Sequence, residues 1–113
     1  MIFALATDES TLFVFDSIAE AIAYCEGIDV ENGNWIFWDD AGAALKAEFL
    51  TPVHHGRFAI GGGTYQLIQA PDKPSLVASI DSMRHIDSNP HFATLSAVRD
   101  HLKTARKASQ SGA

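Results

Sequence analysis

Cysteine is nearly missing from this chain. Cys25 is the only one, which excludes an intramolecular disulfide and suits a reducing compartment. Basic side chains are missing up to Lys46, the first lysine, arginine or histidine in the sequence, and a stretch without cations is a poor surface for a phosphate backbone. Long apolar runs are missing too: nothing approaches the about 18 residues that cross a bilayer. The apolar opening Met1 to Ala6 has no basic stretch before it and is followed at once by Asp8 and Glu9, so a secretory leader is not expected. These absences predict a cytoplasmic protein with no membrane and no nucleic-acid partner.

What is present is apolar material for one core. Of the 113 residues, 47% are hydrophobic, enough for one domain of ordinary size and too little for two. We place that domain at 1–107, with 108–113 as a flexible C-terminal tail. Charge is divided unevenly along it. Residues 1–57 hold ten acidic groups against Lys46 and Arg57, a net of −8, whereas 58–113 carry a net of +2. A field of that sign steers cationic proteins toward the first half; the plainer reading is that the carboxylates keep a small protein soluble.

Hydrophobic periodicity then supplies the scaffold. Ile2 to Ala6 and Thr11 to Phe15 read as a hairpin around Thr7-Asp8-Glu9-Ser10. Ser17-Ile18-Ala19-Glu20 is a capping box, opening a helix to about Glu26 with Ile18, Ala21, Ile22 and Cys25 on one face and Gly27 as its stop. After a loop from Ile28 to Gly33, Asn34 to Trp38 reads as a strand apolar on both faces. Asp39-Asp40-Ala41-Gly42 turns it into Ala44 to Leu50, where Leu45, Ala47 and Phe49 face opposite to Lys46 and Glu48. Arg57 to Ile60 and Thr64 to Gln69 follow as strands around Gly61-Gly62-Gly63. Beyond Pro71 to Pro74, one helix carries Leu76, Ile80 and Met83, with Val77 beside them, and ends before Asp87 to Pro90. A last helix starts near Thr94 with Leu95, Val98, Leu102 and Ala105, fraying after about Lys107. The expected fold is therefore α+β, an antiparallel sheet of about five to six strands in the order ββαββββαα.

Few residues invite a chemical reading. His54-His55 falls in a loop, and His85, His91 and His101 show no H-x-x-x-H or C-x-x-C spacing, so no metal and no cofactor are expected. Cys25 belongs to an apolar helical stripe with no cation nearby to favour a thiolate, which makes it a packing residue. Gly61 to Thr64 lacks the lysine and following helix of a phosphate loop, and Asp39-Asp40 is accounted for by turn formation. No catalytic residue is assigned, and the protein is not expected to be an enzyme. More distinctive is an aromatic strand beside acidic loops. If helices cover only one face of the sheet, Trp35 and Trp38 are left rimmed by Glu26, Asp29, Glu31, Asp39 and Asp40, the composition of an interface with aromatic anchors and a charged rim. If both faces are covered, both tryptophans are core.

The segments Phe15-Asp16-Ser17-x-x-Glu20-Ala21, Tyr24, Ile28-Asp29-Val30-Glu31-Asn32-Gly33-x-Trp35 and Trp38-Asp39-x-x-Gly42-x-x-Leu45 resemble a pattern of small bacterial immunity proteins encoded beside polymorphic or contact-dependent growth inhibition toxins. The likeness covers roughly residues 1–50. It implies a non-catalytic cytoplasmic antitoxin, monomeric before binding, whose partner is a cognate toxin C-terminal domain, with a nuclease as one possibility. It carries over Asp29, Glu31, Asn32, Trp35, Asp39 and Asp40 as toxin contacts; Glu26 and Trp38 join them from the composition of the rim. Two other readings stay open. One is a small-molecule enzyme or binding protein with a pocket between sheet and C-terminal helices, lined by Tyr24, Tyr65 and His101. The other is an oligomerising structural or regulatory subunit.

Overall fold

A computed structural model describes residues 1–50, 54–55, 60–61 and 64–111, and the side chains of these except 54–55, 60–61 and 106–111. The fold is α+β. Strands β1 (Ile2–Ala6) and β2 (Thr11–Phe15) are followed by helices α1 (Ile18–Tyr24) and α2 (Gly27–Glu31), then β3 (Trp35–Trp38) and β4 (Ala44–Phe49). The short strands β5 (His54–His55) and β6 (Ile60–Gly61) precede β7 (Tyr65–Gln69), α3 (Leu76–Ser79), a 3-10 turn at Ile80–Ser82, β8 (His85–Ile86) and α4 (Leu95–Ser111). Six strands form one sheet in the order β7-β4-β3-β1-β2-β8. All neighbours are antiparallel except β8, which lies parallel to β2.

Period-two alternation explains why this sheet is sandwiched between helices. Along β1, Ile2 and Ala4 point into one cluster with Ala21, Cys25, Phe37, Leu45 and Tyr65. Phe3 points the other way, into a cluster with Leu12, Trp38, Ala44, Leu76, Ile80, Val98 and Leu102. Strand β3 divides likewise: Trp35 and Phe37 face α1 and α2, while Trp38 faces α3 and α4. A strand apolar on both sides is stable only when both sides are covered, and each side chain buried this way contributes about 1.5–3 kcal/mol. Trp38 is therefore core at 1% exposure, and its indole Nε1–H donates to the Pro74 carbonyl at 3.0 Å.

Local signals set the helix ends. The Ser17 hydroxyl accepts from the Glu20 amide at 3.1 Å, and the Glu20 carboxylate reaches back to the Asp16 amide at 3.2 Å, so the capping box is formed, one residue displaced on its return bond. Thr94 caps α4 through the Ala97 amide at 3.1 Å. The turn between β3 and β4 is closed by Asp39, whose Oδ1 accepts from the Ala41 and Ala43 amides at 3.0 and 2.9 Å, with Gly42 at φ +85°.

Four local expectations are corrected. Residues 28–33 are not a loop: Gly27–Glu31 forms α2, ended by Asn32 and by Gly33 at φ +79°. The helix expected to run from Leu76 until just before Asp87 stops at Ser79 and ends in the 3-10 turn Ile80–Ser82, and His85–Ile86 instead adds a parallel strand at the sheet edge. His54–His55 is a strand, and it pairs with Ile60–Gly61 rather than leaving β6 to pair with β7; Arg57 to Ala59 of the expected strand lie outside the described residues. Finally, α4 continues to Ser111, beyond the expected fraying point. No helix among the described residues is long and apolar enough to cross a membrane.

Candidate aromatic and acidic interface

Strand register brings together residues far apart in sequence. Ala6 at the end of β1 lies opposite both Thr11 and Trp35, so the turn between β1 and β2 sits beside the entrance to β3. The Thr7 amide donates to the Asn34 carbonyl at 3.0 Å, and the Thr7 hydroxyl to the Gly33 carbonyl at 3.1 Å. The Asn34 amide in turn donates to the Asp29 carbonyl at 2.9 Å, folding the end of α2 against the same spot. The result is a cleft of 180 Å³ with Phe13, Tyr24 and Trp35 in its walls and Asp8, Glu9 and Asp29 around it.

The rings form a connected group. Trp35 meets Phe13 edge to face at 5.2 Å between centroids and Tyr24 at 5.9 Å, and Tyr24 packs on Phe15 at 5.4 Å, separations within the favourable range for aromatic pairs. Tyr24 is nonetheless 57% exposed, and Ile18 on the same helix is 48% exposed. An apolar surface of this kind beside three carboxylates has the make-up of a binding face.

Ion pairs lie elsewhere. Among the described residues, His91 pairs with Asp16, Arg99 with Asp81 and His101 with Asp40, all involving basic side chains from the second half of the chain. Asp8, Glu9 and Asp29 take part in none of these.

Of the eight contact residues expected from the sequence, five gather at this end: Glu26, Asp29, Glu31 and Asn32 on or beside α2, and Trp35 at the start of β3. Trp38 is corrected, because it is sealed beneath α3 and α4 and offers nothing to a partner. Asp39 and Asp40 lie at the far end of β3, about 13–17 Å away at the usual rise of a strand. Asp39 is engaged by the turn amides. Asp40 receives His101 Nε2, 2.9 Å from its carbonyl oxygen and 3.2 Å from Oδ1. The sequence reading missed Asp8, Glu9, Phe13 and Tyr24, since only the pairing of β1 with β3 brings them to Trp35.

Groups with other chemical potential are placed unfavourably for it. Cys25 is fully buried, and burial, reinforced by the Asp29 charge, pushes its thiol up to about 12, the opposite of an activated nucleophile. Tyr65 is buried on the same side; its hydroxyl donates to the Cys25 carbonyl at 2.6 Å, and burial followed by the nearby Cys25 raises its pKa. The pocket imagined between Tyr24, Tyr65 and His101 does not exist as one site. Tyr24 and Tyr65 belong to the α1 side of the sheet, whereas His101 packs on Phe3 and Phe92 on the α4 side. No group of three or more His, Cys, Asp or Glu among the described residues is arranged to hold a metal ion. No known protein family, curated protein or solved structure matches the chain.

Proposed function

We propose that this chain is an immunity protein, a cytoplasmic, non-enzymatic bacterial antitoxin that occludes the active surface of the C-terminal toxin domain of a contact-dependent or other polymorphic toxin system. The observation that carries the reading is the cleft at the α2 end, lined by aromatic residues and by three acidic residues that lie outside the ion pairs found among the described residues. A toxin that grips phosphate presents the complementary charge. Opposite potentials accelerate encounter, and a few desolvated aromatic contacts hold the complex. The sequence resemblance of roughly residues 1–50 to immunity proteins supports the same assignment. The protein acts as a monomer until it meets its partner.

The test is co-expression with the domain encoded immediately upstream, followed by affinity measurement at several ionic strengths. We expect Glu26→Lys combined with Asp29→Lys to weaken the complex about a hundredfold, as opposed charges become like charges. Asp100→Lys on exposed α4 should leave it within about twofold. An affinity indifferent to both salt and the α2 reversals would overturn the reading.

A further inference from the structure

We infer that the cleft between the β1–β2 turn and α2 is a socket for a single arginine side chain of a protein partner. This deepens the function proposed above and rests on it for the partner, but the socket stands on its own geometry. At 180 Å³, it is smaller than the about 300–1,000 Å³ of pockets that enclose a drug-sized molecule or cofactor, and a side chain is the occupant that fits. It is lined by Phe13, Tyr24 and Trp35 together with Asp8, Glu9 and Asp29.

That combination selects the cation. A ring face attracts a positive group within about 6 Å of its centroid. A guanidinium, being planar, lies flat on such a face while its edge donates to carboxylates in a fork, which a compact ammonium cannot do. The aromatic wall therefore recognises the plane of the ligand and the carboxylates its edge. Among the described residues, the ion pairs of the fold do not involve these carboxylates: Arg99, His91 and His101 pair with Asp81, Asp16 and Asp40, and Arg84 meets the β1–β2 turn through its backbone amide, which donates to the Ser10 carbonyl at 2.9 Å. Backbone bonds from Thr7 and Asn34 hold the two sides of the cleft together in the free protein, so the site is preorganised and little ordering is needed on binding.

The experiment is a two-dimensional NMR titration of the full chain with N-acetyl-arginine amide, beside N-acetyl-citrulline amide, an uncharged molecule of the same shape, and N-acetyl-lysine amide. The indole N–H of Trp35 reports on the cleft, and that of Trp38, bonded to Pro74, is an internal control. We expect the arginine compound to move the Trp35 signal in a saturable way, the citrulline compound to leave it in place, and the lysine compound to bind more weakly. Asp8→Asn with Asp29→Asn should weaken arginine binding about tenfold, and Tyr24→Ala, at an exposed position, should weaken it without unfolding the protein. A motionless Trp35 indole, or equal effects of arginine and citrulline, would overturn the socket; lysine binding as well as arginine would overturn its selectivity. If the upstream toxin domain still binds through the acidic surface while arginine amide does not, the socket falls and the immunity reading remains. Binding of arginine amide with no affinity for the toxin domain does the reverse.

Discussion

Replacing Gly42 with alanine adds one methyl group at a place where the backbone and the packing both resist it. The residue sits at φ +85° in the turn between β3 and β4, a conformation that costs an L residue roughly 1–2 kcal/mol. A Cβ there would stand 2.9 Å from Leu102 Cδ2 and at ordinary contact distance, 3.4 Å, from Leu76 Cβ, so the Leu102 side chain must give way within the core, and overpacking of this kind costs about 1–3 kcal/mol. Reduced freedom of the unfolded chain returns roughly 0.4–1 kcal/mol, leaving a net loss of about 2–4 kcal/mol. Gly33 is the natural control: its φ is +79°, but nothing lies within 4 Å of an added Cβ, so Gly33→Ala should lose only about 1 kcal/mol by the same reasoning. Urea unfolding followed by tryptophan fluorescence measures both, with equal denaturant slopes required for the comparison. Trimming the obstacle provides a second check, since Leu102→Ala combined with Gly42→Ala should destabilise by less than the sum of the two single changes. Equal losses at the two glycines, or strict additivity in the double variant, would refute the close approach of α4 to the turn.

Three further outcomes follow from the buried polar groups on the α1 side. With its pKa at about 12 instead of the ordinary 9.0, Cys25 should react with iodoacetamide near pH 8 about a thousandfold more slowly than a free thiol, because only the thiolate attacks; labelling at the free rate in native buffer would contradict its burial. The same shift makes stability depend on pH in one window. The folded state holds the proton more tightly, so the contribution is complete below pH 9 and falls as pH rises toward about 12; alkaline titration of the wild type against Cys25→Ala would expose the difference. Tyr65→Phe removes the hydroxyl bonded to the Cys25 carbonyl at 2.6 Å and should lose about 1–2 kcal/mol in urea unfolding, whereas no loss would mean that the bond does not tie β7 to α1.

How much of this could be read from the sequence depends on the distance over which each signal acts. The capping box at Ser17 and Glu20, the Asp39 to Gly42 turn and the stripes of α1 and α4 are local patterns, and they led directly to the right elements. Gly33 after Asn32 was also a local signal, of a helix end, but Ile28-Asp29-Val30-Glu31 is too short and too rich in β-branched residues to read as helical. Strand β8 carries no signal of its own: two residues gain their strand identity from β2, more than seventy positions earlier. The expected contact residues were divided between places in the fold for a similar reason. Alternation in β3 correctly separated Trp35 from Trp38, yet only the sheet order decides that both faces are roofed. Charge counted along the chain grouped Asp39 and Asp40 with Asp29; a strand's length then carried them to opposite ends of the sheet.

The described bonds that shape the α2 end include main-chain amides and carbonyls and the Thr7 hydroxyl. Under the function proposed above, substitution at Asp8, Glu9 or Glu26 would change the binding face while leaving these bonds in place. Strand β3 has no such latitude. Inserting or deleting a single residue within it would exchange the layers that Phe37 and Trp38 occupy, so divergence of this scaffold is confined to its rim.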